Sequence, residues 1–323
     1  MRERDIEKFV ENARVLKGPN EGNPISDNSQ RLHRKNIRIY FEWLQDEEFE
    51  NWYDIRPSDI GSYIRHREKD NGSRGADIAQ HIASLKRFYA YLGQDFPDQN
   101  NPVRAHLRTT SYTNGRTARE KEGYDTGVTD EEFQQLLDNV GKRHAERDRL
   151  ILKFMGRLGL RRSEVVELKT DDVNIETRRI DVPATKSSAR PIKFWSDLKP
   201  DIRRWLEGGQ REGYKQAFES DYLFLSERSE SITSKAVNKM VKKTAERAGI
   251  QETMYLDASD NKRHRITAHQ LRHYFGNKMF RNDTMSLKAL SEYMGHSSVD
   301  ITADRYGQMT DDEKFEMFDD QIA

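Results

Sequence analysis

The chain has 323 residues with 55 basic and 55 acidic side chains and no cysteine. That length suits two domains of ordinary size, and the lack of cysteine excludes a disulfide framework and any cysteine-based metal site. No apolar run reaches the roughly 18 residues of a membrane span and no signal-peptide pattern opens the chain, so a soluble, cytoplasmic protein with no membrane partner is expected.

Hydrophobic and charged residues each make up 34%, which describes a hydrophilic surface around modest cores. Zero net charge would argue against nucleic acid only if the charges were evenly spread, because phosphate binding depends on local positive potential. They are not. From Gln99 to Arg119 there is no acidic residue, but there are Arg104, Arg108, Arg116 and Arg119. Lys262-Arg263-His264-Arg265 is a second basic patch, and the end of the chain is acidic. A single charge run is ordinarily a solvated face.

In chain order, the first hundred or so residues read as helical. Leu32, Ile37, Phe41 and Leu44 suggest one helix, Ile60 and Ile64 a short one after Pro57, and Ile78, Ile82, Leu85, Phe88 and Leu92 a third with a full apolar stripe. These are the core stripes of a small helical bundle. Pro102 and the polar stretch Thr109 to Thr117 break the pattern and read as an interdomain linker.

The second domain opens with Thr129-Asp130-Glu131-Glu132, a capping box before Phe133, Leu136 and Leu137. A helix from about Glu146 leads to Gly159. Ile180 and Val182, then Ile192 and Phe194, alternate with polar residues around a Lys-Ser-Ser turn, the pattern of a small antiparallel sheet. Tyr222 to Leu225 reads as a short buried segment. Helices are expected over Thr233 to Ala248, closed by Gly249, then about Ala268 to Arg281, and Ser286 to Met294. The tail from Thr310 carries Phe315, Met317, Phe318 and Ile322 among acids, an amphipathic extension.

Four short motifs carry chemistry: Gly159-Leu160-Arg161-Arg162-Ser163-Glu164, Thr185-Lys186, His269-Gln270-Leu271-Arg272-His273, and Gly295-His296 with Tyr306 ten residues on. Cleaving a phosphodiester with a side chain requires a nucleophile, cations for the charged phosphoryl oxygens, and a proton for the leaving oxygen. Arginine meets two phosphate oxygens at once and stays charged, and lysine or histidine can supply the proton. His269 and Arg272 share a helix face. Each residue alone has a plainer reading: a surface arginine, a turn lysine, a helix-capping histidine, a packed tyrosine. His269 and His273 are also spaced as in zinc-binding helices, but Gln270 stands where a catalytic glutamate would be and no third ligand follows. No metal and no cofactor are therefore expected.

Taken together, the motifs resemble those of the tyrosine recombinase family, the phage integrases and Xer-type site-specific recombinases. The resemblance covers roughly Asp125 to Met309 and, more weakly, Ser26 to Val103. It implies a mainly α fold with a small antiparallel β-sheet. It divides the chain into a lead over 1–25, a helical core-DNA-binding domain over 26–104, a basic linker over 105–126, a catalytic domain over 127–309 and an acidic tail over 310–323. The short lead is expected to hold no separate arm-binding domain.

The resemblance also implies roles. Tyr306 would be the nucleophile, Arg161 and Arg272 would hold the non-bridging oxygens, and Lys186 would protonate the leaving 5′-oxygen. His269 and His296 would assist, with Glu164 and His273 in support. Arg104, Arg108, Arg116, Arg119, Lys235, Lys239, Lys242, Lys262, Arg263 and Arg265 are the expected DNA contacts. Implied partners are double-stranded DNA with a specific core site, a homo-tetramer on two duplexes, and accessory DNA-bending proteins. The implied function is strand exchange through a 3′-phosphotyrosyl intermediate. The alternatives are Xer-type dimer resolution, a topoisomerase-like nicking and rejoining enzyme, and a non-catalytic DNA-binding relative. Leu158 stands where the family often has threonine, and the gap from His296 to Tyr306 is one residue longer than in many members.

Overall fold

The computed structural model describes residues 3–12, 27–69, 75–93, 101–110, 112, 127–185, 188–256, 262–281 and 284–295. They fall into two compact units, one within Met1–Tyr124 and one within Asp125–Leu256 and Lys262–Ala323.

The first unit is helical: α1 (Glu3–Asn12), α2 (Asp27–Asp46), α3 (Pro57–Lys69), α4 (Gly75–Leu92) and the short α5 (Pro102–His106). Its core is aromatic. Tyr40, Trp43, Trp52, Tyr63, Phe88 and Tyr89 are all buried, and burying each such side chain contributes on the order of 2 kcal/mol. The polar tips have partners: the Tyr40 and Tyr89 hydroxyls are 3.1 Å apart, and the Tyr63 hydroxyl lies 2.7 Å from His81 Nδ1. The sequence stripes on α2, α3 and α4 supply this core, except that Leu32 remains 37% exposed.

Helix α1 falls in the stretch read from sequence as a lead. It docks on α2 through ion pairs of Glu7 with Arg34 and Arg38, both at 3.0 Å, and Phe9 meets Phe88 edge-on at 5.5 Å. Its apolar set, Ile6, Phe9 and Val10, is too short a run to stand out as a stripe.

The second unit begins at α6 (Asp130–Asp138), where Thr129 Oγ1 accepts the Glu132 amide at 3.2 Å and Glu132 returns the bond at 3.1 Å. The central helix is α7 (Ala145–Leu158), whose Leu150, Ile151, Phe154, Met155 and Leu158 are buried. It packs close to α6 because Gly156 offers no side chain. A Cβ there would lie 2.3 Å from the Phe133 ring.

Beyond α7 come α8 (Arg162–Glu167) and a three-stranded antiparallel sheet, β1 (Val173–Asn174), β2 (Arg179–Val182) and β3 (Arg190–Lys193). Ile180 pairs with Ile192 and Val182 with Arg190. Next is α9 (Lys199–Leu206), followed by a loop folded around the buried guanidinium of Arg211, which donates to the carbonyls of Ala217, Ser220 and Tyr222. Leu223, Phe224 and Leu225 are buried, as their composition suggests.

Helix α10 (Ser234–Arg247) is capped by Thr233. A hairpin of β4 (Thr253–Leu256) and β5 (Lys262–His264) follows, for which the sequence shows no clean alternation. Helix α11 (Ala268–Arg281) lies against α7, and α12 (Leu287–Met294) ends on Gly295 in the left-handed region. Among the described residues no helix is long and apolar enough to cross a membrane.

Candidate active site

The site is built from residues of five elements, α7, α8, β3, α11 and α12. Helix α7 terminates at Gly159, whose φ of 65° is open to glycine and costly for other residues. A Cβ there would also sit 2.4 Å from the Phe275 ring on α11. This turn lets the chain reverse at once into α8, with Arg161 as its extended N-cap residue. Glu164, one turn on, caps Arg161: its Oε2 accepts the Arg161 backbone N–H at 2.8 Å.

The Arg161 guanidinium folds back over this cap. Nη1 donates to Glu164 Oε1 at 2.9 Å and to the Met294 carbonyl at 3.1 Å, and Nη2 donates to the Gly295 carbonyl at 2.8 Å. Arg272 approaches from α11. Its Nη1 donates to the Gly159 carbonyl at 2.6 Å and its Nη2 to the Met294 carbonyl at 2.7 Å. The two expected phosphate-binding arginines are thus held by the same carbonyl at the C-terminus of α12.

Glu164 is fully buried. Besides Arg161 it pairs with Arg190, whose Nη1 meets Oε1 at 2.9 Å and Nη2 meets Oε2 at 3.2 Å. Arg272 Nη1 lies 3.8 Å from Oε2. Burial pushes the Glu164 carboxyl up, but hydrogen bonds and charge from Arg190, then the Arg161 amide and Arg272, outweigh it and hold the group below its ordinary value. Three guanidinium groups around one carboxylate leave a surplus of positive charge, the electrostatics of an anion site.

Arg190 was not among the site residues read from the sequence. A signal was there: on β3 it lies two residues from buried Ile192 and so shares its inward face. A charged side chain at such a position requires a paired partner.

His269 is exposed and His273 half-buried on α11, with ring centroids 4.4 Å apart at 79°. Lys186, His296 and Tyr306 lie outside the described residues. Among the described residues no three or more His, Cys, Asp or Glu gather as metal ligands.

The expected DNA contacts divide. Arg104 and Arg108 are exposed in the first unit, and Arg116 and Arg119 lie outside the described residues. Lys235 and Lys239 are exposed on α10, with Lys242 half-buried further along the same face. Lys262 and Arg263 are exposed on β5. Arg265 is a correction. It is 7% exposed, and its guanidinium donates to Glu132 and, at 3.0 Å, to the Ile250 carbonyl. The alternation of β5 ends before it, and the chain turns its charge inward to the Glu132 cap.

Known proteins match this chain in both units. The phage integrase family model matches residues 127–313, and the phage integrase N-terminal SAM-like domain matches residues 21–95. The chain belongs to the phage integrase family. The tyrosine recombinase XerD of Oceanobacillus iheyensis is 23% identical over 303 residues, covering 94% of this chain and 93% of the relative. The XerC of Haemophilus influenzae is 25% identical over 260 residues, covering 80% and 79%.

Two solved structures share the fold. One is the Tn1549 transposon integrase in complex with transposon right end DNA, at TM-score 0.69 and 20% identity, covering 99% of both chains. The other is the XerH recombinase bound to its difH substrate, at TM-score 0.65 and 19% identity, covering 98% of this chain and 84% of that one.

Proposed function

We propose that the protein is a site-specific tyrosine recombinase that breaks and rejoins DNA strands without metal or ATP. The observation that carries this is the joint anchoring of Arg161 and Arg272 on the Met294 carbonyl beside buried Glu164. Two fixed guanidinium groups are the apparatus for stabilising charge that develops on phosphoryl oxygens.

In this reading the Tyr306 phenol oxygen attacks the scissile phosphorus and passes its proton to His269 or His296, forming a 3′-phosphotyrosyl bond as the bond to the 5′-oxygen breaks. Lys186 gives that oxygen its proton. His269 and His296 hydrogen-bond the phosphate or assist proton transfer, and His273 supports His269. The phosphotyrosyl bond conserves the free energy of the broken phosphodiester. A free 5′-hydroxyl from a partner duplex therefore attacks it and restores a phosphodiester with no added energy source.

The substrate is double-stranded DNA with a specific core site, gripped mainly through its backbone. Arg104, Arg108, Lys235, Lys239, Lys242, Lys262 and Arg263 are the exposed or half-buried cations proposed to contact it. Two duplexes are joined in a homo-tetramer, helped by accessory bending proteins, with the domain limits read from the sequence. The acidic tail over 310–323 docks on a neighbouring subunit, so its removal weakens assembly on paired sites more than binding to a half-site. The setting is the cytoplasm, at the nucleoid. The task is integration or excision of an element, with dimer resolution as the alternative.

A duplex nicked near the scissile phosphate separates the readings. A recombinase traps a covalent adduct and joins strands from different duplexes. A topoisomerase-like enzyme gives the adduct and rejoins only its own strand, and a non-catalytic relative gives no adduct.

A further inference from the structure

We infer that Arg190 is a positioning residue for the arginine pair: it is the dedicated counter-ion of Glu164, and it leaves the charge of Arg161 and Arg272 available to a phosphate. This rests on the recombinase reading above.

Glu164 serves the site as a cap, holding the Arg161 backbone through Oε2 and its guanidinium through Oε1. The same carboxylate is a hazard there. It is fully buried, and a buried unneutralised anion draws charge from its nearest cations. Those are Arg161 at 2.9 Å and Arg272 at 3.8 Å, the groups that must face the substrate.

Arg190 resolves the conflict. Its planar fork takes both carboxylate oxygens at once, a geometry that lysine cannot reproduce. Its remaining Nε donates to the Tyr293 carbonyl at 2.6 Å, one residue before the Met294 carbonyl that receives both Arg161 and Arg272. One side chain therefore neutralises the cap and fixes the α12 terminus against it. The register that pairs Arg190 with Val182 turns it inward to do so. Every nitrogen of the Arg190 guanidinium has a protein partner, Nη1 and Nη2 on the two Glu164 oxygens and Nε on the Tyr293 carbonyl, so its charge is committed to the cap.

The test is single-turnover cleavage of a nicked core-site duplex by the full chain, with gel-shift binding and thermal melting alongside. Wild type must form the covalent adduct; if it does not, the recombinase reading fails, and with it the ground for this inference. Given an active wild type, Arg190→Met should cleave about 100-fold more slowly, the scale for losing one charge-stabilising group, with binding close to wild type. Adding Glu164→Gln to Arg190→Met should recover about tenfold, because the uncompensated carboxylate is gone and the two changes are coupled. A wild-type rate in Arg190→Met, or a double variant slower than the single one, would overturn the assignment.

Arg190→Lys keeps one positive charge and guards against a variant that merely unfolds. It should be slow on the phosphate substrate and less impaired, relative to wild type, on a methylphosphonate linkage, where the reacting group carries no charge to compete with Glu164. An equal defect on both substrates would mean that Arg190 serves packing alone.

Discussion

Arg272 Nη1 donates to the Gly159 carbonyl at 2.6 Å, so the arginine of α11 is held by the turn that aims Arg161. The two cations lie far apart in sequence but share one backbone scaffold. Substitutions in that turn should therefore act on both.

Gly159→Ala tests this. The residue has φ 65°, and a Cβ would lie 2.4 Å from Phe275. Relieving that overlap should cost about 1–3 kcal/mol. A lower melting temperature and slowed cleavage are expected together; a variant that melts like wild type would show that the turn is not strained.

Arg161→Ala and Arg272→Ala should each slow cleavage by about two or more orders of magnitude. Wild-type activity should persist in EDTA. Dependence of cleavage on an added divalent ion would instead revive the zinc-like reading of His269 and His273.

Tyr306→Phe should abolish covalent attachment and leave DNA binding near wild type, since in the proposed reading affinity comes from cations spread along the chain. A denaturing gel with labelled nicked substrate reads the result. An adduct that persists in the variant would move the nucleophile elsewhere.

Arg265→Ala should lower stability by about 1–3 kcal/mol, because it leaves half-buried Glu132 without its charged partner. Half-site affinity at a temperature where the variant is folded should change little. A large affinity loss with an unchanged melting curve would return Arg265 to the DNA-contacting set.

Two buried histidines give the first unit a pH limit. Burial, then the charge of Arg87, lowers His33 from its ordinary 6.5 to about 4. Burial and Arg67 lower His81 to about 4, with Asp77 opposing. Both are held neutral in the folded state, so the unfolded chain binds more protons between those values. Their stabilising effect is present above pH 6.5 and lost as pH falls toward 4. Melting temperature should drop across that window, and His33→Gln should flatten the drop. A slope unchanged by the substitution would assign the acid sensitivity to other groups.

The sequence alone was enough for the elements whose apolar or capping residues recur at regular local spacing. The stripe from Ile78 to Leu92, the capping box at Thr129 and the alternation around Ile180 and Ile192 all follow from local spacing. Tertiary structure decided where the long-range partners of charged residues lie. Arg190 meets Glu164 across 26 residues and Arg265 meets Glu132 across 133. In sequence, Arg265 belongs to a basic run and looks like a surface cation, and for Arg190 the strand alternation marks an inward position but not its partner. Only the closed fold supplied the carboxylate for each, because burial is what turns a weak surface attraction into an obligatory pair. The same holds for α1, whose short apolar face gains its stability only from the aromatic core against which it packs.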